Sequence, residues 1–302
     1  MSGLLATPGN HPITITQGWN WIGYPVNTAL STETALSSLS PEEDDILQAR
    51  NGYSVYWPGY GFWGDVENLL PGNGYKYQSH STDPQTLTYP SNREFTHDNP
   101  IQPTIVYPEA MQHQYLMDVT AVAELDGNLV DAEHFELIAV SNGQIRGRKQ
   151  LRNCELNGLH VALLVVYGDA SESVGFRLRD IETGKVYEGI ETLGFKSETV
   201  VGALSEPFTI HFSGEQPNTN VLVGMFPNPV KTDEMVYVDM IGTCNGNGVD
   251  VIEIFNAIGD RISNSMTTAM PLSFRAPKTA GSYVVRVICN GETYHGTLIV
   301  TQ

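Results

Sequence analysis

Glycine and proline interrupt this sequence along its whole length, and they restrict its fold more than any other feature. The chain carries 29 Gly and 17 Pro, which favour short strands joined by turns over long helices. Between them apolar and polar residues alternate, most clearly in residues 249–254, as they do in half-buried strands. Residue pairs typical of turns separate several such segments: Asp126–Gly127, Asn142–Gly143 and Thr183–Gly184. The sequence therefore predicts an all-β protein of antiparallel β-sandwich type.

Composition changes twice along the chain and predicts three modules. All four Trp and seven of the 14 Tyr lie before residue 91, so residues 1–90 are predicted to form an aromatic-rich β module. Residues 91–216 read as an antiparallel β-sandwich-like domain, and residues 217–302 as an immunoglobulin-like sandwich of about seven short strands. The one helix predicted with some detail is short and covers residues 32–39, with Ser31 or Thr32 as its N-cap.

The net charge of the chain excludes nucleic acid as a partner, and the length of its apolar runs excludes a membrane-spanning helix. The 34 acidic residues outnumber the 16 basic ones, and a net charge of -18 offers no basic face for nucleic acid. The longest apolar run, residues 161–167, is far shorter than the roughly 20 residues of a membrane-spanning helix. Residues 1–8 have neither the basic start nor the apolar stretch of a secretory signal. A soluble chain with no membrane span is expected.

The three cysteines leave two interpretations open. Cys154, Cys244 and Cys289 lie far apart and show no CxxC spacing, so a zinc site is not expected. Cys244 and Cys289 fall in the same C-terminal module and could pair in an oxidising compartment. Alternatively, both are small buried hydrophobic residues.

No residue pattern in the chain is typical of catalysis, so we expect a non-enzyme without metal or cofactor. The eight His lack metal-ligand spacing, and no Gly-x-Ser-x-Gly elbow is present. A hydrolase remains an alternative only if scattered acids such as Glu124, Asp126 and Glu133 meet in space. The acidic residues 42–45 have the oxygen ligands that Ca²⁺ prefers but not the spacing of a calcium loop, which favours a solvated turn.

A glycine-rich aromatic stretch, residues 53–63, suggests a ligand surface. Exposed rings on a β scaffold can stack on sugars, which makes Trp57, Tyr60 and Trp63 candidate carbohydrate contacts. Asp65 would accept hydrogen bonds from sugar hydroxyls. The alternative is that four aromatic residues form the core of this module: Trp19, Trp21, Tyr56 and Trp63.

The C-terminal module resembles a known family. The segments that carry the resemblance are residues 226–230 (FPNPV), 251–256 (VIEIFN) with Gly259 and Asp260, 280–287 (AGSYVVRV), Gly291 and 298–300 (LIV). Their order and spacing resemble those of the C-terminal sorting domains of type IX secretion in Bacteroidetes. Two cysteines and the glycine-rich residues 242–248 depart from that pattern. Residues 18–25 (GWNWIGYP) and 70–75 (LPGNGY) more loosely resemble modules that precede such domains.

This resemblance implies a location and partners. The domain would be recognised by the outer-membrane type IX secretion machinery, then cleaved by a sortase and replaced by a lipopolysaccharide anchor. The protein would be secreted or displayed at the cell surface, and the chain would be the C-terminal part of a longer precursor. The motif residues carried over are Pro227, Asn228, Pro229, Gly281 and Tyr283. A proline-bounded turn leaves the first strand there, and Gly-x-Tyr begins a strand whose ring covers one end of the core.

Overall fold

A computed structural model describes residues 11–90, 113–169, 171–214, 222–241, 249–265, 272–289 and 292–302. Several sequence predictions fall outside these residues, namely those on residues 1–8 and 242–248, on Cys244 and on Gly291. The chain divides into two units, the first comprising residues 1–106 with 202–207 and the second residues 107–201 with 208–302. No helix in the described ranges is long and apolar enough to cross a membrane.

The described part of the first unit is a small β structure with one short helix. Its elements are β1 (Ile13–Ile15), β2 (Gly18–Gly23), β3 (Leu30–Ser31), α1 (Thr32–Ala35), β4 (Ile46–Ala49), β5 (Gly52–Trp57), β6 (Gly61–Gly64), β7 (Asn68–Leu69), β8 (Gly74–Ser79) and β9 (Gln85–Leu87). Five strands form an antiparallel sheet in the order β2-β8-β4-β5-β6, while β1 pairs with β9 and β3 with β7. The predicted helix is present but shorter, and the Oγ of its N-cap Ser31 accepts from the Thr34 amide at 3.2 Å.

One face of the five-stranded sheet covers the core of this unit. Ile22 and Leu47 project from that face together with the rings of Tyr75 and Tyr77, and all four side chains are buried. They pack against Leu36, which follows α1, and against aliphatic residues of the short strands and loops. The core of the first unit is therefore built from tyrosine and aliphatic side chains, and it contains no tryptophan from the described residues.

The second unit begins with a ten-stranded sheet. Its strands are β10 (Tyr115–Leu125), β11 (Asn128–Leu129), β12 (Phe135–Ser141), β13 (Gln144–Gln150), β14 (Arg152–Cys154), β15 (Leu159–Gly168), β16 (Ser173–Asp180), β17 (Val186–Gly194), β18 (Val200–Val201) and β19 (Phe208–Phe212). Most pairings are antiparallel, but β18 and β19 run parallel to β10. Asp126 and Gly127 both have positive φ, 52° and 78°, which confirms the predicted hairpin turn after β10.

This sheet folds over one main core, and a smaller buried cluster includes Ile138 and Val186. Side chains from β10, β15 and β19 meet side chains from β12 and β16 in one buried cluster, in which Leu164, Phe176 and Phe212 are large members. The two halves approach closely where β13 lies against β15. A Cβ added at Gly147 would fall 2.1 Å from the carbonyl oxygen of Val165, so only glycine fits there.

The remaining strands form a second sandwich with its own core. They are β20 (Leu222–Phe226), β21 (Val230–Lys231), β22 (Met235–Ile241), β23 (Val249–Phe255), β24 (Arg261–Ser265), β25 (Ser273–Arg275), β26 (Gly281–Cys289) and β27 (Glu292–Thr301). A three-stranded sheet, β20-β22-β25, packs on a five-stranded sheet, β21-β27-β26-β23-β24, around buried residues such as Val236, Ile252 and Val285. The predicted all-β, sandwich-type fold is confirmed.

The structure also distinguishes the cysteines. Cys154 is a buried free thiol, whereas Cys289 is disulfide-bonded. The alternative in which Cys289 is only a small buried hydrophobic residue is therefore wrong. Cys289 nevertheless ends β26 inside the core of the C-terminal sandwich.

Candidate functional site

The residues of the C-terminal resemblance lie around one strand, β27. Pro227, Asn228 and Pro229 connect β20 in one sheet to β21 in the other, and the Asn228–Pro229 peptide bond is cis. The side chain of Asn228 contacts β27 directly. Its Nδ2 donates to the carbonyl oxygen of Thr297 at 2.8 Å, and its Oδ1 accepts from the amide of Ile299 at 2.8 Å.

The short strand β21 continues this contact along the same edge of β27. It runs parallel to β27, with Val230 opposite Val300 and Lys231 opposite Thr301. The Thr301 hydroxyl donates to the carbonyl oxygen of Val230 at 3.2 Å, and the Thr232 amide donates to the Thr301 carbonyl at 3.0 Å. The end of β27 therefore lies inside the sheet, between β21 and β26.

The other two motif residues hold the opposite edge of β27. Gly281 begins β26 and pairs with Val300, and Tyr283 pairs with Leu298. The Tyr283 ring is buried in the core, and its hydroxyl donates to the carbonyl oxygen of Thr279 at 2.7 Å. Motif residues more than 50 positions apart in the sequence thus converge on residues 297–301.

A charged cluster occupies the outer face of the same sheet. Glu253 is buried between two arginines: Arg261 Nη1 donates to its Oε1 at 2.8 Å, and Arg286 Nε donates to its Oε2 at 2.6 Å. These bonds from Arg261 and then Arg286 hold the pKa of Glu253 below its ordinary value. The Arg286 guanidinium also lies 4.9 Å from the ring centre of Phe255. Two guanidinium groups share one carboxylate, so the cluster carries a net positive charge.

The candidate carbohydrate residues of the first unit lie at one edge of its sheet. Trp57 ends β5, Trp63 lies on β6, and both are half-buried, while Tyr60 in the turn between them is 56% exposed. Asp65 is half-buried and packs against Gly52, where an added Cβ would lie 2.7 Å from the Asp65 Cβ. The structure therefore brings the three rings to one edge, but Asp65 packs into the module.

The strand register places all four tryptophans on the face opposite the core. Trp21 pairs with Lys76, Val55 with Trp63, and Trp57 with Gly61, so their side chains share a face with that of Trp19. Trp21 is 74% exposed, and the Lys76 Nζ lies 4.6 Å from its ring centre and 5.7 Å from that of Trp19. The expectation that Trp21 belongs to the core is wrong. We call these four residues the tryptophan face.

The acidic stretch predicted as a solvated turn contains a buried carboxylate. Asp45 is fully buried and accepts from the Tyr77 hydroxyl at 2.6 Å, from the His80 amide at 2.7 Å and from the Glu42 amide at 3.1 Å. Burial, together with the hydrogen bond to Asp45, raises the pKa of Tyr77. Asp44 accepts from the Leu204 amide and the Ser205 hydroxyl. Donors from the protein therefore bind the carboxylates of both Asp44 and Asp45. In the sequence, the one local signal of this cluster is the alternation of Tyr75 and Tyr77 in β8.

The acids considered for hydrolysis have separate partners. Glu124 lies 3.8 Å from His211 Nε2, Asp126 accepts from the Gly214 amide at 2.7 Å, and Glu133 accepts from the Asn153 amide at 3.2 Å. The Nδ1 of His211 lies 2.6 Å from Glu191, and this hydrogen bond raises the pKa of His211. Within the described ranges, no three His, Cys, Asp or Glu side chains are grouped as metal ligands.

Comparisons with known proteins assign no family. No protein-family model and no curated protein matches the sequence. Among solved structures, the chain is similar to the three N-terminal domains of the bacteriophage RB49 Highly Immunogenic Outer Capsid protein (Hoc), with 12% identity and a TM-score of 0.20. The match covers 62% of this chain and 58% of that one. A TM-score of 0.20 is too low to transfer either the fold or the role of that protein.

Proposed function

We propose that this chain is the non-catalytic part of a secreted or cell-surface protein, and that its C-terminal sandwich is a type IX secretion sorting domain. The observation that carries the proposal is the convergence of Asn228, Gly281 and Tyr283 on the end of β27. The partners would be the outer-membrane secretion machinery and its sortase. Residues 1–90 and 91–216 would act as spacer or binding modules ahead of the sorting domain at 217–302.

The cysteine chemistry supports an extracellular location. Cys289 is disulfide-bonded, and disulfides form and persist in oxidising compartments such as the periplasm and the cell exterior. A protein that folds and acts in a reducing cytosol would not normally keep such a bond. Measuring free thiols on the denatured full chain taken from the periplasm, with and without reduction, would check this point directly: one free thiol, from Cys154, is expected before reduction.

The sorting proposal can be tested by deletion in a bacterium that has a type IX secretion system. The full chain and a chain lacking residues 221–302 are each directed to the periplasm with the same signal peptide. We expect only the full chain to reach the surface or the medium. Far-UV circular dichroism checks that the strands of the shortened chain remain folded, because the deletion lies in the second unit and all four Trp lie in the first. Equal export of both chains would refute the proposal.

We also propose carbohydrate binding by the first module as a second candidate function. It is favoured by the tryptophan face, which lies opposite the core and includes a Trp21 ring that is 74% exposed. Exposed indole rings stack well on the apolar faces of sugars. The sheet places Trp19 and Trp21 four strands away from Trp63, about 19 Å at the usual inter-strand spacing, so an extended glycan would suit this face better than a single sugar.

The carbohydrate proposal is tested with three variants on a glycan array. Trp21→Ala and the double variant Trp57→Ala with Tyr60→Ala should each weaken binding of any glycan that the wild-type chain retains. Tyr115→Ala removes an exposed ring from the second unit and is the matched control, with binding expected to stay unchanged. If both first-unit variants fold and still bind as the wild type does, the tryptophan face is not the binding site.

A further inference from the structure

The side chain of Asn228 takes the place of a backbone peptide group beside β27. In a parallel ladder, one residue donates to and accepts from the two residues that flank its partner. Asn228 does the same with its amide, because Nδ2 donates to the carbonyl oxygen of Thr297 and Oδ1 accepts from the amide of Ile299, each at 2.8 Å. The amide therefore brackets Leu298 as a strand residue would. It adds one more position to the edge of β27 that β21 also occupies.

This side chain matters because the strand that follows it is very short. β21 contains only Val230 and Lys231, which pair with the last two residues of β27, Val300 and Thr301. The bonds to the Thr297 carbonyl and to the Ile299 amide come from Asn228. Its loss would remove both bonds from this edge.

The pairing of β27 with β26 sets which side chains of β27 face outward, and Asn228 bonds to the other edge of the same strand. Leu298 and Val300 are buried in the core, while Thr297 and Thr301 are exposed and Ile299 is 39% exposed. A partner that reads the outward side chains of residues 297–301 therefore needs this end of β27 to stay extended and bonded at both edges.

We propose that Asn228 is a positioning residue that holds the second edge of residues 297–299, so that the end of β27 stays ordered for the protein of the export machinery that recognises residues 297–301. This inference rests on the proposed sorting function and names the segment that is read. The side chain does not need to touch the partner. It acts by bonding to the Thr297 carbonyl and the Ile299 amide on the edge opposite β26.

The test compares Asn228→Ala with Asn256→Ala in the full chain. Asn256 is a matched control, because it belongs to the same sandwich and its Oδ1 accepts from two backbone amides, those of Ile258 at 3.1 Å and Asp260 at 2.8 Å. Its bonds lie in the turn between β23 and β24 and not on β27. Both variants lose comparable hydrogen bonds, so a general loss of stability should affect them alike.

Two measurements are made on each variant. Hydrogen exchange of the Ile299 amide should speed up on the order of tenfold in Asn228→Ala, because its acceptor is gone, and should stay unchanged in Asn256→Ala. Export to the surface should fall in Asn228→Ala and remain at the wild-type level in Asn256→Ala. If Asn228→Ala does not fold, Asn228→Asp replaces it, since a carboxylate cannot donate to the Thr297 carbonyl. Export is then the readout, because this carboxylate can still accept from the Ile299 amide.

The possible results separate this inference from the sorting proposal. Unchanged exchange at Ile299 overturns the positioning role, and faster exchange with normal export overturns its link to recognition. Equal loss of export in both variants also overturns it, because the effect is then one of stability. If deletion of residues 221–302 leaves export intact, the sorting proposal itself fails, whatever the exchange at Ile299 shows.

Discussion

Replacing Asp45 should lower the free energy of unfolding of the first unit more than any other single substitution considered for that unit. Its carboxylate is fully buried and accepts three hydrogen bonds, from the Tyr77 hydroxyl and from the amides of Glu42 and His80. His80 Nδ1 lies 3.1 Å from the same carboxylate. Asp45→Ala removes every acceptor at once and leaves the hydroxyl of Tyr77, itself fully buried, without its partner.

The size of the loss follows from these contacts. A buried donor left without an acceptor costs about 1–3 kcal/mol, and a hydrogen bond to a charged group contributes about 1.5–3 kcal/mol. The amides of Glu42 and His80 lie nearer the surface and can recover water, so we expect a total of about 3–5 kcal/mol for Asp45→Ala. Tyr77→Phe should cost less, about 1–2 kcal/mol, because Asp45 keeps its other donors.

Urea unfolding followed by tryptophan fluorescence measures this loss in the intact chain. All four Trp belong to the first unit, so the signal reports that unit even though the chain has another. In the Asp45→Ala background, Tyr77→Phe should be nearly neutral or stabilising, because it removes the stranded hydroxyl. A loss below about 1 kcal/mol for Asp45→Ala, or the same cost of Tyr77→Phe in both backgrounds, would refute the reasoning.

Three further predictions concern other parts of the chain. Gly147→Ala should destabilise the second unit by about 1–3 kcal/mol or more, measured by thermal unfolding followed by circular dichroism. Gly175→Ala is the control and should cost much less, because nothing lies within 4 Å of its added Cβ. The Glu191 bond raises the pKa of His211 above 6.5, so its stabilisation is complete below pH 6.5 and lost as pH rises through the folded-state pKa. His211→Gln should therefore lower the urea midpoint of the second unit, followed by circular dichroism, at pH 5.5 but hardly at pH 9. Trp21→Ala should change the stability of the first unit by no more than about 0.5 kcal/mol, because its ring is 74% exposed.

Local signals in the sequence predicted most of the strands and turns. The positive φ of Asn142 and Gly143, 51° and 71°, is what their residue types favour, and the turn lies where it was predicted, between β12 and β13. Strand β6 is harder to predict, because its two glycines, Gly61 and Gly64, favour a turn over a strand. Gly64 is there because an added Cβ would lie 2.4 Å from the carbonyl oxygen of Tyr53, a close approach that no local pattern reveals.

The face of a strand that becomes the core was harder to predict than the strand itself. Trp19 and Trp21 alternate with Asn20 and Ile22, so either set could have faced inward. Ile22 faces inward because its partner strand β8, more than 50 residues away, contributes the rings of Tyr75 and Tyr77 to the same side. A pairing partner so distant in sequence leaves no trace in the local pattern. The sequence therefore predicted this strand, whereas the interpretation that placed Trp21 in the core was wrong.

The residues of the C-terminal motif contribute to folding as well as to the proposed recognition. Asn228 and Gly281 bond or pair with opposite edges of β27, so both help to close the sandwich around Leu298 and Val300. A sandwich that needs these residues in order to fold would keep them whether or not a partner reads the strand. Folding and recognition therefore predict the same residues at these positions. They predict different results only for a pair of variants matched in lost hydrogen bonds, of which one touches β27 and the other does not.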